Sequence, residues 1–203
     1  MNPAAAWAIV PVKPLSLSKS RLTGVLDAPE RAALTRRLLV HVLKTLQQSP
    51  GLTRCLVVSR DPEILALAQE YQAIAFLEEG PPGLNQALTA AAQFACAANA
   101  ANLLITPSDL PFVGVEDVAA LLAASARLAI CPDRRQQGTN ALLVRGLGDF
   151  RFRFGLGSFR RHLREANRLG WTTQIIQTAG FSFDLDTAED WRYYEQHIAT
   201  VKG

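Results

Sequence analysis

Short apolar runs alternate along this chain with longer segments in which apolar residues recur every three or four positions, and proline, glycine or an acidic residue marks most boundaries. The runs Trp7–Val12, Cys55–Ser59, Ile74–Leu77, Leu103–Ile105, Leu128–Cys131, Ala141–Val144, Thr173–Ile176 and Phe181–Leu185 predict strands. Several are apolar at consecutive positions, as strands buried on both faces of a parallel sheet must be. Asp27, followed by Pro29, predicts the cap of a helix reaching Gln48, with Leu34, Leu38, Val42 and Leu46 along one face. Further helices are expected from Asp61-Pro62-Glu63, over Leu84–Ala100 and Glu116–Ser125, from Ser158 as N-cap to Leu169, and from Thr187 onward. This alternation predicts an α/β fold: a single domain over residues 1–203, with a mostly parallel twisted sheet and helices on both faces. Right-handed crossovers then bring the loops that follow the strands to one edge.

Length and composition permit this and exclude little else. A chain of 203 residues, 49% hydrophobic and 19% charged, suffices for one α/β domain with a buried core. No stretch nears the roughly 18 apolar residues of a membrane span, so no membrane association is expected. Met1-Asn2-Pro3-Ala4 brings no basic segment ahead of a long apolar one, so a secretory leader is not expected either. Cys55, Cys96 and Cys131 stand far apart in apolar surroundings and read as reduced thiols of a cytoplasmic protein. The net charge of +3 suits an anionic small molecule and does not call for nucleic acid. Arg151, Arg153, Arg160, Arg161, Arg164 and Arg168 nevertheless interleave with Phe150, Phe152, Phe154 and Phe159. A base-stacking surface is one reading of that pattern, and core aromatics at alternate positions is the other.

Three stretches could carry chemistry. Leu103-Leu104-Ile105-Thr106-Pro107-Ser108-Asp109 ends a buried strand with a carboxylate where open α/β sheets bind ligands, although a turn aspartate would look the same. Asp184 and Asp186, two apart in an expected strand, would face one side, where paired carboxylates need a proton or a cation between them. Mg²⁺ with polyphosphate is the natural mediator. Asp186 with Glu189 could alternatively be a helix capping box. The loop after the first strand carries Lys13, Lys19 and Arg21, well placed for nucleotide phosphates or simply solvated; no Walker or dinucleotide glycine motif accompanies it. In Phe154-Gly155-Leu156-Gly157-Ser158, two glycines and a helix start could admit an anion, with Thr139 contributing a hydroxyl. His162, inside that helix, reads as a surface residue.

Taken in order, Val10-Pro11-Val12-Lys13 with Lys19-Ser20-Arg21-Leu22, Gly83-Leu84-Asn85-x-Ala87-Leu88, Pro107-Ser108-Asp109-Leu110-Pro111, Gly138-Thr139-Asn140-Ala141-Leu142, Phe154-Gly155-x-x-Ser158-Phe159 and Phe183-Asp184-Leu185-Asp186-Thr187 resemble the CofC/FbiD family. These are phospho-acid guanylyltransferases of coenzyme F(420) biosynthesis. The resemblance spans Trp7 to Trp191. It implies a nucleotidyltransferase fold, Rossmann-like and shared with nucleotide-diphospho-sugar transferases. It also implies transfer of GMP from GTP to 2-phospho-L-lactate, phosphoenolpyruvate or 3-phosphoglycerate, with release of pyrophosphate. Carried over by motif, Asp109, Asp184 and Asp186 would hold Mg²⁺, Lys13, Lys19 and Arg21 would meet the triphosphate, and Gly83 and Asn85 would belong to the nucleotide side. Thr139, Gly155 and Ser158 would bind the phospho-acid, and the family suggests a homodimer. Transfer to another acceptor such as molybdopterin, and a non-catalytic nucleotide- or nucleic-acid-binding module, are the competing readings.

Overall fold

The computed structural model describes residues 5–201. Strands β1 (Ala6–Pro11), β2 (Leu52–Ser59), β3 (Ile74–Leu77), β4 (Asn102–Ile105), β5 (Leu128–Pro132), β6 (Thr139–Arg145) and β7 (Thr173–Ile175) form one sheet in the order β3-β2-β1-β4-β6-β5-β7. The β1–β2, β1–β4, β2–β3 and β5–β7 pairings are parallel, whereas β6 runs against both β4 and β5. Only β6 is reversed, so the sheet is mostly parallel, as the alternation of elements predicts.

Helices cover both faces. Strand residues alternate between them: Ala8 and Val10 of β1 pack under helices α1 (Ala28–Gln48), α2 (Pro62–Glu70) and α4 (Val115–Leu122). Trp7 and Ile9 pack under α3 (Leu84–Ala97) and α5 (Ser158–Arg168). Asp27 caps α1 with a complete capping box: its carboxylate accepts the Glu30 N–H, and the Glu30 carboxylate accepts the Asp27 N–H.

The last third departs from expectation in two places. Phe181–Leu185 is not a strand. A short helix α6 (Ala179–Ser182) is followed by extended chain that pairs with no strand and leads into α7 (Ala188–Val201). Period-two alternation survives without a ladder, because Phe183 and Leu185 are buried against Leu22, Leu34, Leu38 and Tyr194 while Asp184 and Asp186 are not. Ser158 is also not the cap of α5 but its first residue; Gly157, at φ +67°, takes the cap position. That left-handed backbone favours glycine, so Ser158 is released from capping to turn its hydroxyl elsewhere. No helix among the described residues is long and apolar enough to cross a membrane, and residues 1–4, on which the leader expectation rests, lie outside them.

Candidate active site

The carboxyl ends of β1, β2, β3 and β4 share one edge of the sheet, and the reversed β6 brings its amino end there too, with Thr139 opposite Pro132 of β5. A cavity of about 650 Å³ opens on this edge, within the usual range for small-molecule sites. Its lining includes Lys13, Lys19, Arg60, Glu78, Gly83, Ser108, Asp109 and Asp186.

The basic loop is anchored, not a freely solvated stretch. The Leu15 N–H donates to the Asp61 carboxylate at 2.8 Å, Thr35 donates to the buried Ser18 hydroxyl at 2.9 Å, and Leu22 is fully buried. Lys19 stands in the left-handed region at φ 52°, uncommon for a residue with a side chain. That turn points its ammonium inward, only 6% exposed, to donate to Asp109 Oδ2 at 2.8 Å and to the Leu185 carbonyl at 2.6 Å, with Asp186 Oδ1 at 3.8 Å. Arg21 stays exposed and reaches Asp186 Oδ2 at 2.9 Å. Residues 90 and 166 positions from Lys19 thus meet around one ammonium.

Asp186 is free for this because it is not the cap of α7. Thr187 and Asp190 form the reciprocal pair instead: Thr187 Oγ1 accepts the Asp190 N–H, and the buried Asp190 carboxylate accepts N–H groups from Asp186 and Thr187. Arg134 also donates to Asp190, which holds that cap in place.

Asp184 lies between these groups and β6, with Asn140 Nδ2 at 3.4 Å. Burial, and then the charge of Asp109, push its carboxyl up to about 6, with Asp186 adding a smaller push. The native carboxyl therefore keeps its proton up to about pH 6, whereas the unfolded chain releases it near 4. Its stabilising contribution is full below about pH 4 and is lost as the pH rises through about 6. At pH 8 with a chelator present, Asp184→Asn should accordingly stabilise the fold, by ~2 kcal/mol in urea unfolding. A destabilised variant would mean that the carboxylate is not crowded by its neighbours.

Asp109 and Asp186 face the two cations and Asp184 lies within electrostatic reach of both carboxylates, a donor set with the hard-oxygen character that suits a divalent ion. As they stand, no three Asp, Glu, His or Cys side chains among the described residues are arranged as a ready-made metal shell.

Beyond the acidic cluster, Thr139 is bonded to Ser158 through their hydroxyls at 3.1 Å, both nearly inaccessible, and Gly155 holds φ +106° beside them. The Ser158 and Phe159 N–H groups already donate to the Gly155 and Gln137 carbonyls, and Thr139, Gly155 and Ser158 sit outside the residues that line the cavity. Asn85 does not line the cavity. Its carboxamide grips Phe154 at both ends, accepting the N–H at 2.7 Å and donating to the carbonyl at 3.1 Å, and so ties α3 to the Gly155 loop. Gly83 does line the cavity, and its N–H donates to Glu78 at 3.2 Å.

Sequence reasoning missed Arg60 and Glu78, which pair at 2.8 Å at the ends of β2 and β3. The rule that singled out Asp109, a polar residue just beyond a parallel strand, would have found both. His162 was misread. It is fully buried, with the Thr139 hydroxyl at 3.1 Å and the Arg153 N–H at 3.0 Å, and burial lowers it to about 3. The arginine-rich segment is wired to itself: Arg168 and Arg153 flank the buried Glu165 carboxylate, and Arg161 donates to the Phe154 carbonyl. Phe150, Phe152 and Phe159 lie in the core, so they are not available to stack on bases.

The fold is one shared with solved nucleotidyltransferases. A putative nucleotide-diphospho-sugar transferase from Desulfovibrio desulfuricans superposes with TM-score 0.77 at 17% identity, covering 94% of this chain and 86% of that one. A nucleotidyl transferase from Methanothermobacter superposes at 0.69 with 14% identity, covering 97% and 99%. Sequence narrows the class further: residues 6–197 match the family of CofC-like guanylyl transferases, and the chain belongs to that family. The phosphoenolpyruvate guanylyltransferase of Rubrobacter xylanophilus is 43% identical over 92% of this chain and 91% of its own. The 2-phospho-L-lactate guanylyltransferase of Methanothermobacter thermautotrophicus is 36% identical over 90% and 81%.

Proposed function

We propose that this protein transfers the guanylyl group of GTP to the phosphate of a three-carbon phospho-acid, phosphoenolpyruvate or 2-phospho-L-lactate, releasing pyrophosphate as a step of coenzyme F(420) biosynthesis. The observation that carries it is the shared ammonium of Lys19, which draws the basic loop and the carboxylates of Asp109 and Asp186 together on the cavity edge. The names of the relatives supply the nucleotide and the class of acceptor.

The chemistry asks for little besides charge control. A phosphate monoester is already mostly dianionic near neutrality, since its second pKa is about 6. Its oxygen can attack the α-phosphorus unaided by a general base. What the protein must do is bring two anions together and stabilise the leaving pyrophosphate. Lys13 and Arg21 would hold triphosphate oxygens, and Lys19 would balance whichever anion stands beside Asp109. Asp109, Asp184 and Asp186 would hold Mg²⁺, which when bound supplies charge neutralisation at the reacting phosphates. Gly83 would lie on the nucleotide side, with Asn85 bracing the loop that links the two subsites. Thr139, Gly155 and Ser158 would take the phospho-acid. The unpaired thiols Cys55, Cys96 and Cys131 fit a reducing cytoplasm, burial holding Cys55 and Cys131 at about 12.

The test is pyrophosphate release from GTP and Mg²⁺ with phosphoenolpyruvate, 2-phospho-L-lactate and 3-phosphoglycerate in turn. Release with one or more of them is expected, and release with molybdopterin alone would replace the acceptor class. Ser158→Val should raise KM for the phospho-acid roughly tenfold and leave KM for GTP within about twofold, the loss of one hydrogen bond to a charged ligand. The opposite split would mean that the two subsites are exchanged.

A further inference from the structure

His162 sits one helical turn beyond Ser158 on α5, and both side chains face Thr139 on β6. The ring is enclosed by Phe150, stacked at 6.1 Å, and Phe154, edge-on at 4.7 Å. A main-chain N–H can only donate, so the Arg153 N–H at 3.0 Å makes Nε2 an acceptor without a proton. Burial and the charges of Arg161 and Arg153, only partly offset by Glu165, keep the ring neutral. Its single proton is therefore on Nδ1, directed at Thr139 Oγ1, 3.1 Å away.

We infer that His162 is a positioning residue of the acceptor subsite: by donating to Thr139 it forces the Thr139–Ser158 hydroxyl pair to turn a hydrogen, not a lone pair, toward the bound phospho-acid. The count is simple. Thr139 cannot give its hydrogen to His162, because a proton already occupies that line. The two hydroxyls hold two hydrogens, and one bond joins them at 3.1 Å. One hydrogen is left over within the trio, whichever way that bond points, and an anionic oxygen is its best acceptor. With the other tautomer, Thr139 would donate to the ring, Ser158 to Thr139, and none would remain. The inference rests on the proposed phospho-acid subsite and adds the group that sets its polarity.

Two measurements test it separately. In the ¹⁵N-labelled protein, long-range ¹H–¹⁵N correlation should show His162 neutral at pH 6, with Nδ1 protonated and Nε2 bare. The reverse tautomer, or a protonated ring at that pH, would overturn the inference whatever the substrate proves to be. Kinetically, His162→Asn keeps an N–H donor near the Nδ1 position, whereas His162→Phe keeps a ring without one; both remove the acceptor for Arg153. His162→Phe should raise KM for the phospho-acid roughly tenfold with KM for GTP unchanged, and His162→Asn should return it to within about threefold. Unchanged acceptor KM in His162→Phe, or an equal rise for both substrates, would overturn it. Should His162→Phe fail to fold, the tautomer decides. Thr139→Val is the control: an unchanged acceptor KM there would overturn the subsite assignment itself and leave the tautomer result standing.

Discussion

Replacing Asp109 with Asn should lower turnover roughly 1,000-fold, the scale of losing one pre-positioned electrostatic contact, while the protein stays folded. The amide keeps the size of the side chain and a carbonyl oxygen for the Lys19 ammonium, which now lies 2.8 Å from Oδ2. Two things change. The neutral amide is a far poorer ligand for a hard divalent ion. It also withdraws the charge that, after burial, does most to raise Asp184, so Asp184 should ionise at lower pH than its present value of about 6. Pre-steady-state pyrophosphate release with GTP and a phospho-acid reads the first effect, and carboxyl ¹³C shifts against pH read the second. Full activity in Asp109→Asn would remove this residue from the reaction. An unmoved Asp184 would mean that Asp109 is too distant to matter.

The second large effect is expected from Lys19→Met, which preserves the stem and removes the charge. Turnover should fall roughly 100- to 1,000-fold, because the same ammonium organises Asp109 and Asp186 and stands where the two substrate anions must meet. Unlike Asp109→Asn, this variant should also be less stable without metal. Losing one partner of a fully buried pair costs about 3–5 kcal/mol. Here Asp109 is 24% and Asp186 38% exposed, so water screens part of the loss and about 1–2 kcal/mol is expected. Added Mg²⁺ should restore much of it if the ion takes over the neutralising role, and Tm measured with and without Mg²⁺ decides. A variant equally stable in both conditions would mean that the carboxylates do not depend on a nearby cation.

These two substitutions probe a cluster whose members were each visible in the sequence but ambiguous. Asp109 was legible because a buried strand ending in Pro107-Ser108-Asp109 has one place to go in a parallel sheet, the ligand-binding edge. The alternation Phe183-Asp184-Leu185-Asp186 was legible as two carboxylates on one side, and it holds although the expected strand does not form there. Burial of Phe183 and Leu185 against Leu22 and Leu38 imposes the alternation without hydrogen-bonded neighbours. The rivalry between Asp186 and its helix-cap role was not decidable from spacing. Asp186/Glu189 and Thr187/Asp190 both place an acidic residue three positions after a capping type, and only the hydrogen bonds choose the latter. His162 shows the opposite failure. Among Arg160, Arg161 and Arg164 it looks solvated, yet Phe150 and Phe154 from the preceding loop close over it. Nothing in local sequence records that closure.

By itself the chain's pattern determined the number and kind of most elements, the mostly parallel sheet and the placement of Asp109 and the basic loop at one edge of it. Those follow from periodicity and turn residues, which act over a few positions. Tertiary structure alone decided that β6 is reversed, so that Thr139 and Asn140 open on the same edge as Asp109. It alone placed the Lys19 ammonium among acidic groups remote in sequence and gave the His162 ring a single proton to point at Thr139. The physical reason is common to all three. Charge compensation and hydrogen-bond direction depend on distances of about 3 Å between groups that packing, not sequence neighbourhood, brings together.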